Sequence, residues 1–252
     1  EVCMKFGDYI ADIVKFCAVG CLVAIAGVSG AQATDDAIPD VVRIPSGWFW
    51  QGSDAVERQY AYQIDEQVYG HDISRRNRWY DLEADRWRVR LLAYDIGKTP
   101  VTNAQYAVFV EETGHPTPNI SQEDWDRQGL IYTYDTITPF LWQNGRPPRG
   151  RDNHPVVLVS WQDADAYVRW LSEKTGEKWH LPDELYWEKA VRGANGEFYP
   201  WGNIFDASRL NSADNGPFDT MPVGQFEPGP YGVFDGAGQV FEWTSSTSQA
   251  GY

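Results

Sequence analysis

Two acidic residues near the end of the sequence are the best-placed candidates for chemistry. Asp235 and Glu242 flank a turn segment that contains Gly238 and Val240. Calcium takes several oxygen ligands and mixes carboxylates with backbone carbonyls. The turn can therefore offer both carboxylates and the Gly238 and Val240 carbonyls to one ion. The competing interpretation is turn capping by Asp235 and an ordinary satisfied carboxylate at Glu242, and the spacing alone favours it.

The other reactive residue types form no recognisable catalytic pattern. The four histidines are scattered, without the spacing of metal ligands. They are His71, His115, His154 and His180. The Gly-x-Ser-x-Gly pattern of a serine hydrolase is missing around Ser160 and Ser245. The sequence therefore gives little support to a histidine-bound metal or to serine hydrolase chemistry.

Residues 4–33 have the three parts of a secretory signal peptide. Met4 and Lys5 precede an apolar run at residues 16–28, and the small-x-small triplet at residues 31–33 predicts cleavage after Ala33. We therefore expect an exported protein, periplasmic or secreted, with no membrane segment in the mature form.

The cysteines, at Cys3, Cys17 and Cys21, all precede the predicted cleavage site. The mature chain is then expected to have no thiol for a disulfide, a metal site or a nucleophile. Residues 34–40 are predicted to be a linker, and residues 41–252 a single domain.

Composition narrows the class of partner. The formal net charge is −15, which argues against nucleic acid and against an anionic membrane, because both need a basic surface. Hydrophobic residues make up 42 % of the chain, enough for a sizeable core. The oligomeric state is left open by the sequence.

The elements that position these residues are short and do not alternate regularly. Strands are predicted at residues 41–44, 48–51 and 88–96, and residues 54–87 are predicted to be a surface insertion without a clean period. Three helices are predicted from their start and stop signals. The start signals are Thr102 with Gln105, Ser160 with Asp163, and Asp183, and the stop signals are Gly114, Gly176 and Gly193. This order indicates an α+β fold.

A series of segments resembles a known family. In order, they are YDIGKTPVTN at 94–103, HPVVLVSW at 154–161, LPDELYWEKA at 181–190, YPWG at 199–202, YGVFD at 231–235 and GQVFEWT at 238–244. Together they resemble the formylglycine-generating enzymes, also called sulfatase-modifying factor domains. The resemblance runs from about residue 42 to residue 252.

The resemblance implies a loop-rich variant of the C-type-lectin fold with short strands, about three helices and bound calcium. It also implies the family's activity, the oxygen-dependent, copper-assisted oxidation of a cysteine in an unfolded sulfatase to formylglycine. In the family, a further stretch with the active-site cysteines follows the Glu-Trp-Thr segment. We therefore expect a C-terminally truncated chain, with copper implied only if a cysteine pair exists beyond Tyr252.

The resemblance also shifts the balance toward calcium. The family's second calcium site matches four positions, Asp235, Gly238, Val240 and Glu242. The first site matches Asn211 and the Ser212 carbonyl, with Asp214 or Asn215 completing it. Both sets are predicted to hold calcium.

Two functions remain in competition. One is the cysteine-oxidising maturase, whose partner is an unfolded sulfatase or another exported polypeptide. The other is a non-catalytic, calcium-stabilised binding or scaffolding module, with residues 54–87 and 115–155 presenting the surface. Carbon–sulfur bond formation as in ergothioneine biosynthesis is disfavoured, since it requires an additional iron-binding helical bundle.

Overall fold

The computed structural model describes residues 17–18, 23–25, 37–130, 132–212 and 219–246. Short strands and helices are joined by long loops, as the α+β prediction requires. The helices are α1 (Ala55–Tyr69), α2 (Ile73–Arg76), α3 (Asn103–Thr113), α4 (Gln122–Arg127), α5 (Trp161–Thr175) and α6 (Glu184–Arg192). The strands are β1 (Cys17–Ala18), β2 (Val23–Ile25), β3 (Val41–Ile44), β4 (Gly47–Gln51), β5 (Trp87–Leu91), β6 (Tyr94–Gly97), β7 (Lys178–His180) and β8 (Phe241–Glu242).

The largest sheet has four antiparallel strands in the order β3-β6-β2-β7. Every residue of β6 is buried, so this strand lies at the centre of the fold. Arg43 on β3 pairs with Asp95 on β6 at 2.7 Å, which neutralises the buried carboxylate. The strand between β6 and β7 comes from the predicted leader, and it hydrogen-bonds to both neighbours.

A second sheet consists of β4 and β5 alone. Phe49 on β4 is buried and faces the core that Leu91 and α6 help to form. The predicted strand at residues 88–96 is wrong as a single element. The chain breaks at Leu92, which is 71 % exposed, because β5 pairs with β4 whereas β6 joins the larger sheet.

The main core lies between α3 and α5. Tyr106 and Phe109 of α3 pack against Tyr167 and Trp170 of α5, with ring centroids 5.5 to 5.6 Å apart across the two helices. The predicted capping boxes at the starts of both helices are present, and so is the Asp183 cap of α6. Each of the three helices ends at the predicted glycine.

Helix α1 occupies much of residues 54–87, the segment predicted to be a surface insertion without a clean period. Asp54 accepts hydrogen bonds from the backbone N–H groups of Val56 and Glu57, and the Glu57 side chain accepts from the Asp54 N–H. This capping box starts the helix. Tyr62 is the one buried residue of α1 in the described part of the chain. The sequence of this helix therefore shows no apolar stripe that would have predicted it.

The predicted number of helices, about three, is too low for the described residues. Besides α1, the loop-rich segment at residues 115–155 contains α4, whose cap is Ser121. In the described ranges, no helix combines the length and the apolar character needed to cross a bilayer.

Candidate functional site

The turn between Asp235 and Glu242 has an unusual backbone. Asp235 and Gln239 both have left-handed conformations, with φ of 57° and 62°, and Gly238 lies between them at 75°. Non-glycine residues in this region carry a conformational cost and concentrate at functional sites. The turn is therefore held in a conformation that its own sequence does not favour.

The Asp235 carboxyl group is partly buried, and few contacts offset the cost of burying its charge. Its Oδ2 accepts a hydrogen bond from the Gly224 backbone N–H at 2.7 Å. In the described ranges no arginine, lysine or histidine pairs with it. Burial raises the pKa of Asp235 to about 6 because the charged form is poorly solvated. A cation at this carboxylate would offset that cost.

Glu242 is fixed from α6. Its Oε2 accepts a hydrogen bond from Trp187 Nε1 at 2.9 Å. The turn also packs closely on the same helix, since a Cβ on Gly236 would lie 2.6 Å from Val191 Cγ2. α6 therefore sets the position of one predicted ligand and of the backbone between the two carboxylates.

Gln239 joins the two predicted calcium sites. Its backbone N–H donates to the Asn211 carbonyl at 2.9 Å, and its Oε1 accepts from Asn211 Nδ2 at 2.7 Å. Its amide also exchanges hydrogen bonds with the backbone N–H and C=O of Met221, each at 2.9 Å. The sequence interpretation missed Gln239, because its burial and its partners depend on segments distant in the sequence.

The first predicted site can be followed at two of its four residues. Asn211 Nδ2 donates to Gln239 and to the Asp219 carbonyl, so the amide oxygen faces away from both. Ser212 Oγ is buried and has no hydrogen-bond partner in the described part of the chain. Asp214 and Asn215 lie outside the described residues.

A polar network lies behind Asn211. Arg151 forms a bidentate pair with Asp219, with N–O distances of 2.7 and 2.6 Å. His154 Nδ1 lies 2.8 Å from Thr220 Oγ1. Burial, with a smaller contribution from Arg151, lowers the pKa of His154. None of these side chains was predicted as part of a site, because the contacts join segments about 70 residues apart.

The donor set fits a hard divalent ion. No three His, Cys, Asp or Glu side chains within the ranges that the structure describes lie close enough together to hold a metal. A site at the Asp235 turn would use two carboxylates and complete its ligands with carbonyl oxygens, which is a typical calcium environment. The partly buried Asp235 carboxylate, which accepts a single hydrogen bond within the described residues, from the Gly224 N–H, is the observation that favours it.

Comparisons with known proteins agree on one family. Residues 26–252 match the Sulfatase-modifying factor enzyme 1-like domain. The sequence is 31 % identical to a formylglycine-generating enzyme from Streptomyces coelicolor, over 88 % of this chain and 73 % of the relative. It is 29 % identical to inactive C-alpha-formylglycine-generating enzyme 2 from Mus musculus, over 84 % and 70 % respectively.

A more distant relative and a solved structure extend this picture. Hercynine oxygenase from Mycolicibacterium smegmatis is 28 % identical over 81 % of this chain and 45 % of its own length. The structure of PvdO from Pseudomonas aeruginosa superposes with a TM-score of 0.57 at 21 % identity, covering 83 % of this chain and 71 % of that one. That likeness concerns the fold alone. The sequence relatives therefore include proteins named as a formylglycine-generating enzyme, as an inactive form and as an oxygenase.

Proposed function

The chain belongs to the sulfatase-modifying factor enzyme 1-like family, and on that basis we propose that it is an exported, calcium-stabilised domain that binds an unfolded exported polypeptide. The observation that carries the calcium part of the proposal is the Asp235 carboxylate, partly buried in a strained turn without a basic partner in the described residues. Support for export comes from the leader-like residues 4–33.

Calcium would be held by the Asp235 and Glu242 carboxylates with the carbonyls of Gly238 and Val240. Bound there, it would supply positive charge and fixed coordination, with no part in electron transfer. Asn211 with the Ser212 carbonyl, and Asp214 or Asn215, would form the other predicted site, the first site of the family. Gln239 would then couple the two, since it hydrogen-bonds to Asn211 from inside the Asp235 turn.

Formylglycine generation is the second candidate, and the Streptomyces coelicolor relative favours it. That reaction needs a reactive thiol, and copper would enter with a cysteine pair. Residues 34–252 contain no cysteine. We therefore assign no oxidative step to these residues, and the inactive relative from Mus musculus shows that the family includes proteins named as inactive.

Thermal melting tests the calcium part of the proposal. Calcium at about one hundred times its dissociation constant should raise the melting temperature of the chelator-treated protein by about 5 °C or more. Asp235→Asn should remove most of the response, because one charged ligand is lost. Glu111→Gln is the matched control at an exposed acid and should keep it. Identical melting in chelator and in calcium would show that the proposal is wrong.

A second experiment separates binding from oxidation. The calcium-loaded protein is mixed with an unfolded cysteine-containing sulfatase peptide, with copper and oxygen present, and the peptide is recovered for mass spectrometry. Binding with an unchanged peptide mass supports the binding module. Loss of the peptide's sulfur supports formylglycine generation, and failure to bind the peptide contradicts both.

A further inference from the structure

The β4–β5 sheet carries an exposed face of indole and guanidinium groups. Trp48 and Trp50 lie on one face of β4, and Arg90 and Arg88 are their cross-strand partners on β5. Side chains alternate along a strand, so the intervening Phe49 points the other way and is buried. We call the group of Trp48, Trp50, Arg88 and Arg90 the Trp/Arg face. The buried Phe49, on the opposite face of β4, anchors the strand that carries both indoles to the core.

The guanidinium of Arg88 is positioned by both indoles. It lies 5.5 Å from the ring centroid of Trp48 and 5.6 Å from that of Trp50. These are cation–π distances. The contacts restrain a long, flexible side chain before any ligand arrives, which lowers the entropy cost of binding.

The charges of the Trp/Arg face are not neutralised. The nearby Arg58 and Arg86 pair with Asp85 and Glu57. In the part of the chain that the structure describes, Arg88 and Arg90 have no carboxylate within ion-pair distance. A chain with a net charge of −15 has many carboxylates, so two unpaired guanidiniums side by side form a local positive site on an acidic protein.

The indoles are open to solvent in spite of Arg88. Trp48 is 53 % exposed and Trp50 is 37 % exposed. Exposed aromatic surface beside polar groups is typical of a binding site. The backbone N–H of Trp50, on the edge of β4 that faces away from β5, already donates to the Ala194 carbonyl. A ligand therefore has to bind on the face of the sheet and not along this edge. Addition of a peptide strand along β4 is therefore disfavoured.

We infer that the Trp/Arg face binds an acidic oligosaccharide built of uronic acid units. A pyranose ring has an apolar face that can stack on an indole. Its planar carboxylate matches the two-pronged hydrogen bonding of a guanidinium. An anionic membrane offers negative charge too, and anionic vesicles are therefore included in the test. This inference goes beyond the proposed function and does not depend on the cation turn, which belongs to different elements.

Titration calorimetry with hexameric oligogalacturonate tests the inference on the full chain. Binding is expected, with affinity that falls as salt rises. Trp48→Ala and the double variant Arg88→Gln/Arg90→Gln should each weaken it about tenfold or more. Arg149→Gln is the matched control, an exposed arginine without a carboxylate partner in the described residues, and should change affinity less than about twofold.

Neutral maltohexaose, polyglutamate and anionic vesicles complete the design. None of the three should bind with comparable affinity. Unchanged binding of oligogalacturonate to the Trp48 and arginine variants, or no binding to the native protein, overturns the inference. Preferential binding of polyglutamate or of vesicles overturns it as well, since the recognised partner would then be a peptide or a lipid surface. The arginine variant alters exposed groups only, so the test survives if Trp48→Ala misfolds.

Discussion

Gln239 Oε1 accepts a hydrogen bond of 2.7 Å from Asn211 Nδ2, so the two turns predicted as separate cation sites are physically joined. The same glutamine amide bonds the backbone of Met221 in both directions. A single buried side chain thus holds three segments of the chain together. The two turns are therefore expected to gain or lose order together.

Gln239→Leu tests this link. The substitution keeps the size of the side chain but removes one of the two acceptors of Asn211 Nδ2 and leaves both Met221 backbone groups without their partner. Unsatisfied buried groups cost about 1–3 kcal/mol each, and partial relaxation should hold the total loss to about 3 kcal/mol. Urea unfolding measures the effect. Gln143→Leu, at an exposed glutamine, is the control, and equal losses in the two variants would contradict a special role for Gln239.

Gly238→Ala tests the close approach of the two turns. Gly238 has φ of +75°, and a Cβ there would lie 2.5 Å from the Asn211 carbonyl oxygen. We expect a loss of about 3 kcal/mol or more in the free energy of unfolding, from the clash and the left-handed backbone combined. Gly114→Ala separates these causes, because Gly114 has φ of +69° and open space around it. Its cost should be only about 1–2 kcal/mol, and similar costs at both positions would rule out the clash.

Lys189 gives a prediction for pH. Its side chain is 1 % exposed, and Nζ donates to the Pro45 carbonyl at 2.6 Å. Burial lowers the pKa of Lys189 from its ordinary value of 10.5. Between the lowered value and 10.5 the unfolded chain binds more protons than the folded one, so stability rises with pH in that window. Compared with Lys189→Met, the native protein should therefore gain stability as pH rises toward 10.5.

Chemical unfolding of both proteins, at steps from neutral pH upward, measures this difference. Lys178→Met is the control, because Lys178 is exposed and its removal should leave the pH profile parallel to that of the native protein. Parallel profiles for Lys189→Met as well would show that Lys189 is not destabilised in its charged form.

The hydroxyl groups of Tyr106 and Tyr167 offer a test of the core. Both are buried without a hydrogen-bond partner in the described residues, and burial raises the pKa of each phenol. Tyr106→Phe removes an unsatisfied group, so stability should stay within about 0.5 kcal/mol or increase. Tyr94→Phe is the contrast, because Tyr94 donates to the Tyr186 carbonyl at 2.6 Å, and it should cost about 1 kcal/mol. A comparable loss for Tyr106→Phe in thermal unfolding would indicate that a partner, such as a buried water, binds its hydroxyl.

The parts of the fold that depend on local sequence were predictable. The caps of α3, α5 and α6 are present as predicted, because a capping side chain reaches only two or three residues along the chain. The α+β class and the family resemblance are confirmed as well. The class was predicted from the order of strands and helices, and the family from short motifs in a fixed order.

The parts that failed depend on contacts distant in sequence. The strand predicted at residues 88–96 breaks in two because β5 and β6 have different partners. Helix α1 was missed because it buries chiefly Tyr62, so no apolar period marks it. Gln239 and Asp219 were not assigned to the site, because Arg151, Asn211 and Met221, the partners that join them to it, lie at least eight residues away in the sequence. The calcium ligands themselves stay a prediction.

The strand β2 has a consequence for processing of the chain. Val23–Ile25 lies between β6 and β7 and hydrogen-bonds to both, yet it belongs to the segment that cleavage after Ala33 would discard. Loss of β2 by proteolysis would leave the facing edges of β6 and β7 without a hydrogen-bonding partner, and such edges can pair with another strand. Cleavage after Ala33 and the four-stranded sheet are therefore incompatible, because both involve residues 23–25. After cleavage, a strand from elsewhere in the chain or from a second chain would have to take the place of β2. Without cleavage, the predicted signal segment stays in the folded domain as a strand of its sheet.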